Sequence, residues 1–144
     1  MKTLIREAAA RAFRAGIADD WDTALASLNE VAQIDGAAAT VVAGFADTVA
    51  AAMERRGIKG PPDTVRWVDQ EAADQTPRDA DRVPANVAWS GRVLLARWRF
   101  DEDQWTALWS AIPAGREAEY IATALESCIR TFKAYGLHKR EGAA

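Results

Sequence analysis

The chain has one cysteine and one histidine in 144 residues. A lone Cys128 can form no internal disulfide, and its solitude points to a reducing compartment. Zinc sites of the usual Cys/His kind are excluded by count. His138 stands close to the C-terminus, so Ser/His/Asp and Cys/His catalysis have no base. There is no Gly-rich phosphate loop, because GIKGPP at 57–62 lacks both the spacing and the helix that must follow. Positive charge is not in excess: the formal net charge is −3 and the isoelectric point is near 5.2. That removes the electrostatic footprint of a DNA-binding domain. The one local basic cluster, His138-Lys139-Arg140, reads as a solvated end. Long apolar runs are missing too. Arg6, Glu7 and Arg11 interrupt the N-terminal stretch, and no segment approaches the ~20 apolar residues of a membrane span. These absences predict a cytoplasmic protein that is not an enzyme, binds no nucleic acid, sits in no membrane and needs no cofactor or metal.

What is present is a globular balance, 49% hydrophobic and 27% charged. The length suits one domain that buries roughly two-thirds of its unfolded surface without a staple. Alanine is abundant and arginine outnumbers lysine, a bias that points to a bacterial source. Apolar residues recur at helical spacing, and period-2 alternation is nowhere sustained, so the expected fold is all-α.

Leu4, Ile5, Ala8, Ala12 and Ala15 stripe a helix over residues 3–18. Asp19 or Asp20 offers an N-cap for a second helix over 20–33, striped by Trp21, Ala24, Leu25, Leu28 and Ala32. A longer helix carries Val41, Val42, Phe45, Ala46, Val49 and Met53. Arg55 and Arg56 suit its C-terminus, and Gly57 ends it in the left-handed position. Residues 58–83 form a polar connector. Pro61, Pro62 and Pro77 exclude one long helix there, although a short one around Thr64–Asp74 fits. From Pro84 a helix over 85–100 has two apolar faces, Val87/Gly91/Leu94/Leu95/Trp98 and Trp89/Val93/Ala96/Phe100, which asks for cover on both sides. Asp101 caps the next helix, with Gln104 three residues on. Trp105, Leu108, Trp109 and Ile112 stripe it, and Pro113 ends it. Tyr120, Ile121, Ala124, Leu125, Cys128, Ile129 and Phe132 stripe a last helix that stops at Gly136. Cys128 is thus expected to be a packed small hydrophobe. The carboxylate clusters Asp19/Asp20/Asp22 and Asp101/Glu102/Asp103 stand at helix starts and read as caps, not metal ligands.

The two halves look alike. RAGIADDWDTALASL (14–28) set over RWRFDEDQWTALWSA (97–111) pairs Thr23-Ala24-Leu25 with Thr106-Ala107-Leu108, and after a shift of four residues in the next loop Gly36 and Gly57 fall on Gly115 and Gly136. The expectation is two similar three-helix units, 3–57 and 84–136, in one domain with a loose tail at 137–144. Leu25 and Leu108 become equivalent core positions. In this register Trp98, Trp105 and Trp109 stand over Ala15, Asp22 and Ala26, so the unit's fold does not require tryptophan there. Trp98 and Trp109 are therefore expected to be well buried, under cover from outside their own unit. Three covers are open: the connector with Trp67, a second subunit, or a small ligand. The function this supports is an interaction or adaptor protein that binds a protein partner or itself as a homodimer. The candidate surface is Trp67, Trp89, Trp98, Trp105 and Trp109. The alternative is a small-molecule sensor using the tryptophans of residues 89–109, with Arg97 and Arg99 at its mouth.

Overall fold

The computed structural model describes residues 2–32, 34, 36–61, 78 and 82–137. Six helices follow one another: α1 Lys2–Ile17, α2 Trp21–Asn29, α3 Ala37–Arg55, α4 Ala85–Trp98, α5 Glu102–Ser110 and α6 Glu117–Ala134. Among the described residues there is no strand, so the chain is all-α. The short helix expected around Thr64–Asp74, the Trp67 side chain and the His138-Lys139-Arg140 cluster lie outside the described residues.

The helix ends follow from a single device used four times. At the close of α3, Gly57 has φ +89; its N–H bonds to Glu54 O, and Ile58 N–H bonds to Met53 O. α6 closes in the same way, Gly136 N–H to Lys133 O and Leu137 N–H to Phe132 O. This paired pattern satisfies the last carbonyls of a helix and wants a left-handed residue. α1 and α4 use it without glycine. Asp19 (φ +61) and Phe100 (φ +55) take the left-handed place. The following residue, Asp20 or Asp101, bonds back to Ala15 O or Ala96 O and at once caps the next helix. Asp20 Oδ1 accepts the N–H of Thr23 at 3.2 Å, and Asp101 Oδ1 that of Gln104 at 3.1 Å. The Thr23 hydrogen bonds hold the Asp20 carboxyl below its ordinary range.

α2 is shorter than its apolar stripe suggests. Beyond Asn29 the bonds tighten to three-residue steps, Val31 to Leu28, Ala32 to Asn29 and Ile34 to Val31, and the helix dissolves into a turn. α4 likewise stops two residues short of Phe100.

α1, α3, α4 and α6 form the body. α1 touches α3 and α6, α4 touches α3 and α6, and α3 touches α6, while α2 packs on α1 and α5 on α4. Exchanging α1, α2, α3 for α4, α5, α6 leaves this pairing scheme unchanged. Asn86 Nδ2 donates to Thr123 Oγ1 at 2.8 Å, and the Ser90 and Ser127 hydroxyls meet at 2.7 Å. Contacts that advance together along both helices make α4 and α6 parallel. One core cluster joins α1, α2, α3 and α6 through Phe13, Phe45, Leu125, Ile129 and Phe132. A second joins α3, α4, α5 and α6 through Val42, Trp89, Val93, Leu108 and Tyr120. α3 is apolar and long enough to cross a membrane by length and composition, which corrects the expectation that no segment approaches a membrane span. Half of that window is buried within the fold, where Val41, Phe45 and Val49 are core residues.

Candidate functional site

The tryptophans do not form one surface. Trp89 on α4 is 4% exposed, and its Nε1 donates to Leu108 O at 2.7 Å. Trp109 on α5 stands edge-on to it, centroids 5.3 Å apart at 88°, and Tyr120 does the same from α6 at 5.4 Å. Trp105 tilts against Trp109 at 5.7 Å and carries the Arg97 guanidinium 6.0 Å from its centroid. Arg97 also grips Asp47 of α3 through two bonds, 2.9 and 3.0 Å, which pushes its pKa up. Trp98 faces the other way. It packs on the first cluster, and its Nε1 donates to Glu54 Oε1 at 3.1 Å.

Two expectations need correction here. Trp98 and Trp109 are half-buried, not well buried. Trp98 packs on the cluster that α1, α2 and α3 share with α6, so its surroundings come from both sides of the 58–83 connector, with Glu54 of α3 as its hydrogen-bond partner. Trp109 has its ring partners, Trp89 and Trp105, inside its own unit. The physical reason is register. Counted from the capping aspartates, Thr23 corresponds to Gln104, not Thr106, two residues away from the sequence pairing. Trp98, Trp105 and Trp109 then correspond to Ile17, Ala24 and Leu28. Ala24 is 0% and Leu28 8% exposed, so these are apolar positions in both halves. The contrast of tryptophan with aspartate and alanine gives way to a difference in size between apolar side chains. The same shift moves Leu25: it is 43% exposed, whereas Leu108 is 7% exposed, and the place matching Leu108 is held by buried Ser27.

An open feature lies elsewhere. α2, the turn after it, and the first turns of α3 and α6 enclose a groove of about 60 Å³, on a measure by which one water needs roughly 10–15 Å³. Gly36 (φ +77) launches α3 from the tight turn, and the helix then presents Ala37 and Ala38. α6 presents Ala118 and Ala122. Small residues on facing helices cannot close the space between them. Leu28, Val31 and Val41 make the floor, Leu25 the exposed rim, and Asn29 is the one polar residue of the lining. The stripe that placed Leu25 in the core missed this groove. The run of alanines opening α3 was its only trace in the sequence.

Several polar side chains among the described residues are committed to structure. Asp20 and Asp101 cap helices. Asp19 pairs with Lys133 at 3.0 Å, and Arg116 with Glu119 at 2.8 Å. Cys128 is buried, and burial pushes its thiol up to about 12. Among the described residues no three His, Cys, Asp or Glu side chains converge to hold a metal. Among the described residues one buried side-chain polar atom is orphaned: Trp109 Nε1 has no hydrogen-bond partner. Comparison of the chain with family models, curated proteins and solved structures finds no match.

Proposed function

We propose that this chain is a non-enzymatic interaction protein which takes a large apolar side chain of a protein partner into the groove between α2, α3 and α6. The observation that carries this reading is the groove itself, an open space whose lining is apolar except for Asn29, with Leu25 held 43% exposed at its rim. A leucine kept half in water beside an apolar hollow is what a docking anchor uses. The reading moves the interaction surface away from the tryptophans, of which Trp89 is buried inside the second core cluster. The reducing, cytoplasmic setting suggested by the free Cys128 belongs to the same proposal.

The test is a selection of peptides from a random displayed library, with the winners titrated by fluorescence anisotropy. Winners should carry a large apolar anchor. Their affinity should fall about tenfold or more, ~1.4 kcal/mol, on Ala118→Trp or Leu25→Lys, and be unmoved by Trp105→Ala. Enrichment of nothing, or winners indifferent to Ala118→Trp, would sink the reading.

The second reading, a small-molecule sensor, has one observation in its favour. The orphaned Nε1 of Trp109 is enclosed, and an acceptor on a ligand would satisfy it only where the side chains around it part to admit one. The groove does not include Trp109, so the two readings concern different places and are separable by variants.

A further inference from the structure

Counterpart places in the two halves differ in one respect. Leu28 is the eighth residue of α2, and Trp109 the eighth of α5. Val41 precedes Gly57 by the same interval as Tyr120 precedes Gly136. Where the first half has Leu28, Val31, Val41 and Ile121 around a groove, the second has Trp109, Ile112, Tyr120 and Val42 packed together. The second half is filled by two aromatic rings. The first half has aliphatic side chains in their place and is open. The space that remains is thus one that aromatic side chains occupy in the same local architecture.

Among the described residues one aromatic ring stands almost wholly in solvent. Phe100 is 80% exposed, in the left-handed conformation, a strained place for a non-glycine L-residue. Its counterpart Asp19 is a residue type that tolerates this conformation, and it pairs with Lys133. Exposed Tyr135 has an ordinary backbone, φ −90 and ψ 5, so among the described large apolar side chains Phe100 alone combines a left-handed backbone with exposure. A strained, solvent-bare ring breaks two local rules at once, which marks a functional position.

We infer that Phe100 of one copy enters the α2–α3–α6 groove of a second copy, so that the chain associates head to tail. This rests on the groove being a docking site, as proposed above, and names its occupant. The ring cannot reach its own groove. The groove sits where α3 and α6 begin. Phe100 follows the end of α4, beside Trp98 and its partner Glu54 near the end of α3. Along α3, Val41 of the groove and Glu54 stand about 20 Å apart at 1.5 Å per residue. A knob and a hole at opposite ends of one molecule form a heterologous contact, which propagates until a ring closes or continues as an open chain.

Sedimentation velocity across a wide concentration range tests this. The mean mass of the wild type should rise steadily with concentration. Phe100→Asn removes the knob and keeps the groove; Ala118→Trp blocks the groove and keeps the knob. Each variant alone should stay monomeric, with circular dichroism showing the fold intact. Their equimolar mixture should form one-to-one dimers and nothing larger, because each dimer has two dead ends. Where Ala118→Trp disturbs the fold, Leu25→Lys at the rim takes its place. A wild type that is monomeric throughout, variants that still self-associate, or a mixture that does not pair would each overturn the inference. A monomeric wild type that still binds selected peptides in an Ala118-dependent way would overturn it and leave the docking reading standing.

Discussion

Two residues show most directly how the fold sets local chemistry. Cys128 is buried on α6, and burial carries its thiol from 9.0 up to about 12, because a thiolate has no solvation there. Between those values the unfolded chain gives up the proton and the folded chain keeps it. The unfolded state is therefore favoured as pH rises, and the contribution is fully present below about 9 and lost above it. From about pH 9 upward the wild type should lose as much as ~1.4 kcal/mol per pH unit relative to Cys128→Ala. Paired urea titrations at several pH values measure the difference, and equal slopes would show the thiol to be less enclosed than the structure has it. Phe100 is the second case. Replacement by glycine removes a left-handed cost of roughly 1–2 kcal/mol and adds about 0.5–1 kcal/mol of backbone entropy. Little packing is lost from a ring 80% exposed. Phe100→Gly should therefore raise stability by about 0.5–1 kcal/mol in chemical denaturation. A destabilised variant would mean that the ring contributes to the monomer's own packing.

At the scale of the element, α2 and α5 decide what was legible. Leu108→Ala should cost ~2–5 kcal/mol, the range for a buried leucine. Leu25→Ala should stay within about 0.5–1 kcal/mol, the range of surface substitutions. Equal losses in the two variants would restore the register in which Thr23-Ala24-Leu25 lies over Thr106-Ala107-Leu108. That register looked sound because three identical residues align, but identity is cheap in alanine-rich amphipathic helices. The stop signals carry more information. Gly57 and Gly136 were readable because the left-handed C′ place selects glycine. Asp101 was readable as a cap because its carboxylate meets orphan N–H groups. At Asp19 and Phe100 the same turn uses residues with no such preference, and the two-residue shift hides there. Periodicity could place Trp89, Val93, Ile129 and Phe132 in the core, since a stripe reports which face is buried. It could not show which neighbour covers Trp98, because that depends on the arrangement of α3 and α4. A groove is a shortage of side-chain volume between three segments distant in sequence, and no stripe records it.

For the whole molecule, the question is whether the two halves are separable folding units. The partition of the core says that they are not. The larger cluster holds Leu125, Ile129 and Phe132 of α6 together with Phe13 and Phe45 of α1 and α3, and Phe13 meets Phe132 edge-on at 5.3 Å. The smaller cluster takes Val42 from α3. Gly16 of α1 lets Ile129 of α6 come so close that a Cβ there would stand 2.7 Å from its Cδ1. Polar links cross as well, Asp19 to Lys133, Arg97 to Asp47 and Arg56 to Gly136 O. These exposed pairs add little stability but fix the approach. Removing residues 84–136 would strip the first half of the α6 side chains that close its core. Each half would then leave apolar surface bare, and local opening of one would raise the free energy of the other. Thermal unfolding should accordingly be a single cooperative transition with an enthalpy of roughly 100 kcal/mol, from ~0.7 kcal/mol per residue, equal by calorimetry and by van't Hoff analysis. Tryptophan emission, to which α4 and α5 contribute Trp89, Trp98, Trp105 and Trp109, should follow the same curve as the helical signal at 222 nm (about the usual helix minimum). Two resolved transitions, or an emission change that precedes the loss of helix, would show that the second half melts on its own and that the shared clusters couple the halves too weakly to join them.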